Sequence, residues 1–79
     1  MRNAQFVSER ELAGLAKKLR KAAGKRKAEA AREMGVKLPS VLYAEDNPEK
    51  SLTKLRCKMI EAYSDVKVSG PFYKLEKSI

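Results

Sequence analysis

The chain has 79 residues, with eighteen Lys or Arg, ten Asp or Glu and no His, for a net charge of +8 at pH 7. A chain this short forms one domain (residues 1–79) with a small core, since it buries only about 60% of the surface its unfolded form exposes, and its single Cys and absent His exclude both a disulfide and a zinc site. The same inventory argues against an enzyme: no catalytic residue and no cofactor or metal site is expected, because no histidine can serve as general base or activate Cys57, and Gly14, Gly24, Gly35 and Gly70 each stand alone rather than in a phosphate loop.

The opening segment MRNAQFVSERE has no apolar run after its arginine and does not read as a signal peptide. Nowhere do eighteen apolar residues follow one another, so no membrane span is expected. With a lone cysteine this points to a cytoplasmic protein.

Ser8 and Glu11 have the spacing of a capping box, with Val7 and Leu12 placed as a hydrophobic staple, and predict a first helix over about 9–23. Its apolar stripe is Leu12, Leu15, Ala16, Leu19 and Ala23, and Gly24 ends it. A second, alanine-rich helix spans about 26–34 and stops at Gly35. Pro39 sits where a first turn tolerates proline and opens a short third helix over about 39–45. DNPE is a turn. Ser51 is placed to cap a fourth helix over about 52–63, with Leu52, Leu55, Met59 and either Ala62 or Tyr63 facing inward. The alternation in VKV and FYKLEK, with SGP between them, predicts short strands near 66–68 and 72–76 that form a hairpin.

The charge is uneven. Residues 1–37 hold eleven Lys or Arg against four Glu, a net of +7, whereas residues 38–79 hold seven against six acids, a net of +1. A concentrated basic patch suits a polyanion. A membrane surface is a poor fit for KKLRKAAGKRK, because Gly24 interrupts the amphipathic run and no bulky aromatic anchors it.

Two helices that cross closely need a small residue at the contact, a turn residue that accepts positive φ and an apolar residue pointing back inward. Ala31, Gly35 and Val41 supply these, and Ala30, Met34, Val36 and Ala44 fill neighbouring apolar positions. On these residues, over about 10–63, the chain resembles the phage repressor and Cro type of helix-turn-helix, the XRE family. The family's pattern of a polar residue opening helix 2, then Ala, then Gly, then a Glu late in helix 3 falls on Lys27, Ala31, Gly35 and Glu45. The DNP turn and SLTKL are similar to the family's N-P-s-l-x-x-L. The resemblance implies a mostly α, four-helix, lambda-repressor-like bundle with a short C-terminal strand or hairpin. It also implies a bacterial or phage transcription regulator that binds duplex DNA, and a salt bridge between Arg20, seven residues before Lys27, and Glu45.

The chain departs from the family at the reading edge. The usual Gln is Lys27, which keeps a phosphate contact. The usual Ser or Thr cap of helix 3 is Lys37, and the base-reading positions fall on Leu38, Pro39, Leu42 and Tyr43, leaving Ser40, Lys37 and the Tyr43 hydroxyl to hydrogen-bond a base. Three accounts of that edge stand open. In the first, the helix enters the major groove, apolar side chains meet thymine methyls, Arg26, Lys27, Lys37, Lys50, Lys54 and the helix N-termini hold phosphates, and A·T-rich or shape-dependent sites are preferred. Tight binding then calls for a homodimer, which the tail strands would supply by edge pairing. In the second, the edge docks a protein partner, as in an antitoxin-like or accessory module. In the third, these residues belong to the core. The basic cluster favours the first.

Overall fold

The computed structural model describes residues 5–69 and 74–77. Its order is β1 (Gln5–Phe6), α1 (Glu9–Ala22), α2 (Lys27–Met34), α3 (Leu38–Asp46), α4 (Thr53–Ala62), β2 (Val66–Ser69) and β3 (Lys74–Lys77). The fold is mostly helical, four helices with a C-terminal hairpin, and the helix limits lie within a residue of those read from the sequence. No helix among the described residues is long and apolar enough to cross a membrane.

Local chemistry sets most of these limits. The Ser8 amide donates to Glu11 Oε1 at 2.8 Å and the Glu11 amide donates back to Ser8 Oγ at 3.2 Å, a complete capping box. α1 and α2 end alike. Gly24 (φ 72°) and Gly35 (φ 71°) are left-handed, and the next amide reaches back five residues, Lys25 to Arg20 O at 3.1 Å and Val36 to Ala31 O at 2.9 Å. This closes otherwise open carbonyls and turns the chain sharply. At Gly35 the turn sends α3 across α2, so residues 31–45 form two short helices rather than one rod. Pro39 lies in the first turn of α3, where its missing N–H leaves no gap.

The start of α4 differs from expectation. Ser51 does not cap it. The residue before the first turn is Leu52, with no side-chain cap, and the Thr53 hydroxyl donates instead to the Glu9 carboxylate on α1.

The core is built from Leu12 and Ala16 of α1, Ala30, Ala31 and Met34 of α2, Val41 and Ala44 of α3, and Leu55, Met59 and Ile60 of α4. Four of these ten are alanine, which lets the helices approach closely. The predicted stripes hold except at one end: Leu15, Leu19 and Leu52 are half-buried against the core, as is Tyr63 of the pair Ala62 or Tyr63, whereas Ala23, just beyond the last residue of α1, is exposed. Ala13, Arg20, Arg56 and Ile60 are also buried.

β2 and β3 pair antiparallel as a hairpin, with Val68 opposite Leu75. Phe72 and Tyr73, the first part of the expected second strand, lie outside the described residues. β3 also pairs with β1, Gln5 opposite Leu75, which puts β3 in the middle of a three-stranded sheet. Leu75 is buried. β1 was not expected, since a two-residue strand leaves no alternation to read. The open edge of β2 is already occupied: the Val66 amide donates to Ser64 Oγ at 3.1 Å and the Val68 amide to Glu61 Oε2 at 2.9 Å. Edge pairing of a second copy at β2 would have to break both bonds.

Candidate nucleic-acid interface

α3 is held from behind by two buried arginines. Arg20 of α1 forks onto Glu45, with Nε to Oε2 at 2.5 Å and Nη2 to Oε1 at 3.0 Å, and its Nη1 donates to the Lys25 carbonyl at 2.6 Å. Both partners are 5% exposed. This is the salt bridge that the resemblance implies, and the bond to Glu45 pushes the Arg20 guanidinium further into its charged form. Arg56 of α4 is fully buried. Its Nε donates to Ala44 O at 2.9 Å and its Nη2 to Asn47 O at 2.8 Å, so a cation meets the carbonyl end of α3, where the helix dipole favours it. Arg56 was not read from the sequence. Its partners are backbone carbonyls, and no residue pattern announces those.

With Val41, Ala44 and Glu45 turned inward, α3 directs its other side outward. Leu38 is 40% exposed and Tyr43 is 49% exposed. Pro39 is exposed, and Leu42 is half-buried. Placing Leu38, Pro39 and Tyr43 in the core is therefore incorrect: Val41 fixes the helix phase and leaves these three on the solvent side, with Leu42 half-buried beside them. Ser40 is half-buried and faces sideways, lining a shallow groove with Ser51, Thr53 and Lys54 at the start of α4.

Lysines border this face. Lys37 is exposed and immediately precedes α3. Lys54 lies across the groove from Ser40. Lys50 Nζ sits 5.7 Å from the centre of the Tyr43 ring, within cation–π range. At the far end of α3, Lys27 Nζ lies 3.7 Å from Asp46 Oδ2, and Lys17 Nζ lies 3.1 Å from Asp46 Oδ1. These two lysines, Lys17 foremost, hold the Asp46 carboxyl below its ordinary value. Arg26 precedes α2, its side chain exposed and 3.7 Å from Glu29. No family model, curated protein or solved structure matches this chain.

The helix starts fall into two groups. In α1 and α2 a first-turn acid accepts from the amide of the residue preceding the helix, Glu11 from Ser8 N–H and Glu29 from Arg26 N–H, each at 2.8 Å, and α1 also has a side-chain cap, Ser8 Oγ on the Glu11 amide. α3 and α4 have no acid in the first turn and no side-chain cap. At α3 Pro39 has no N–H and the Ser40 amide donates to the Lys37 carbonyl at 3.0 Å, which leaves the Leu38 amide; with the first-turn amides of α4, and with Lys37 and Lys54 beside them, these make two positive ends next to the apolar face, and positive helix ends suit phosphate. The structure thus brings Lys37, Leu38, Ser40, Tyr43, Lys50 and Lys54 to one region, with Lys27 at its margin. Arg20, Ala31, Gly35, Val41 and Glu45 act behind it as supports.

Cys57 is half-buried. Burial foremost, and then the Glu61 and Glu9 carboxylates, push its thiol up, away from the reactive thiolate.

Proposed function

We propose that this protein binds duplex DNA as a small transcription regulator of the repressor and Cro helix-turn-helix type, acting in a bacterial or phage-infected cytoplasm. α3 enters the major groove, and Arg26, Lys27, Lys37, Lys50 and Lys54 meet the phosphates on either side. The observation that carries this reading is the pairing of uncapped, acid-free starts on α3 and α4 with a lysine border around α3's exposed face. A partner that is wholly apolar has no use for that border. Duplex DNA uses both the border and the acid-free helix starts.

The test is binding to short random-sequence duplexes across a range of salt, with Lys27→Glu and Lys54→Glu measured alongside. The expected result is salt-sensitive binding weakened by both charge reversals, with the logarithmic salt slope set by roughly 0.9 per neutralised phosphate. No binding at low salt would overturn the reading.

A second reading has its own observation. Leu38 and Tyr43, 40% and 49% exposed, with Pro39 between them, form a small anchor patch suited to a protein partner. In that case the chain is an interaction module, antitoxin-like or accessory, and substitution at Leu38 abolishes partner capture while leaving DNA affinity untouched.

A further inference from the structure

We propose that α3 recognises the C5-methyl group of pyrimidines in the major groove, so that 5-methylcytosine serves as well as thymine and cytosine methylation creates binding sites. This rests on the duplex-binding reading above and extends it by naming the chemical group that is recognised.

The outward side of α3 consists of two rows at helical spacing, Leu38 with Leu42 and Pro39 with Tyr43. Leucine and proline side chains neither donate nor accept. Ser40 is half-buried and lines the groove at the start of α4, and the Tyr43 ring lies 5.7 Å from the Lys50 ammonium, its hydroxyl the one polar side-chain atom of the two rows. When such a face seats in a groove, the polar edges of bases lose water and gain no hydrogen bond, which is unfavourable. The C5-methyl is the one feature of the major groove that gains from an apolar neighbour. Thymine always carries it. Cytosine carries it at the same ring position only when methylated, and otherwise gives the leucine and proline side chains nothing apolar to meet. The lysine border and the acid-free helix starts direct this apolar face to a polyanion rather than to an apolar protein surface.

The experiment uses the full chain and a short random-sequence duplex pool prepared in four versions, with thymine or uracil and with cytosine or 5-methylcytosine, all at one salt concentration. Each engaged methyl is worth about fourfold in affinity, so with two methyls engaged the pool with both methyl groups should bind about sixteenfold tighter than the pool with neither. Restoring methyl groups on cytosine alone should recover much of the loss caused by uracil. Leu38→Ala and Tyr43→Ser, both at exposed positions, should shrink the ratio of affinities between the methylated and methyl-free pools, whatever they do to overall affinity. Equal affinity for all four pools, with salt-sensitive binding intact, would overturn methyl recognition and leave DNA binding standing. Failure to bind any pool at low salt would overturn both.

Discussion

Arg20 and Glu45 are a buried fork, and a buried pair is costly to break one partner at a time. Losing either leaves the other charged and dry, a penalty of about 3–5 kcal/mol, whereas replacing both with apolar groups of similar size removes the penalty along with the bond. Arg20→Met and Glu45→Met should each lower stability by about that amount, and the double variant should lose far less than their sum. Chemical denaturation of the four proteins of this cycle measures it, and additive losses would show that the two side chains act independently. This pair was expected only through the resemblance to the repressor type of helix-turn-helix, since nothing in the separation of Arg20 and Glu45 along the chain announces it. Arg56 was not expected, although it is the more deeply buried cation. A lone arginine on a helix reads as solvated surface until the fold places the carbonyls of Ala44 and Asn47 against it. Lys58 behaves the same way, donating to Met34 O at the end of α2 at 3.0 Å. Side chains that close helix ends across the fold are invisible to periodicity. Those that close their own helix, such as Ser8 with Glu11, are not.

Among the elements, α2 and α3 depend on the turn between them. Gly35 has φ 71°, and a Cβ built there meets nothing within 4 Å. A substitution is therefore opposed by backbone conformation alone. Gly35→Ala should cost about 1–2 kcal/mol without disturbing the packing, seen as a lower denaturation midpoint with an unchanged helical signal. A loss several times larger would mean that the turn carries tertiary contacts as well. Helix positions were legible because caps, glycines and proline are local signals. The start of α4 was misread for a related reason: Ser51 has the right chemistry, but the helix opens at Thr53, whose hydroxyl is committed to Glu9. β1 was hidden because its pairing partner lies seventy residues away, Gln5 against Leu75. The exposed side of α3 was legible as a set of residues, and the inward Val41 settled which side it is.

Taken whole, the molecule balances its excess of positive charge with a few well-placed acids. Glu11, Glu29, Glu33, Asp46 and Glu49 are all held below their ordinary values, foremost by Ser8, the Arg26 amide, Tyr63, Lys17 and Asn47 respectively. The unfolded chain takes up protons on these groups first as the pH falls. Their contribution is complete above the ordinary carboxyl values and is lost as the pH drops through the lower folded-state ones, so the melting temperature should fall between about pH 5 and about pH 3. A melting temperature constant over that span would contradict it. Asp46 has a second consequence, because one of the cations it holds, Lys27, belongs to the proposed DNA-facing surface. It lies 3.1 Å from Lys17 and 3.7 Å from Lys27, and a carboxylate there competes with phosphate for Lys27. Both contacts are exposed, so little stability depends on them. Asp46→Asn keeps the shape and frees both lysines. Duplex affinity should rise, and the logarithmic salt slope should steepen by up to roughly 0.9 for each lysine that newly meets a phosphate. The same change in a Lys27→Ala background should gain markedly less, since one of the released cations is gone. Unchanged affinity and slope in Asp46→Asn would mean that Lys27 lies away from the phosphates, and the interface would then be confined to α3 and the start of α4.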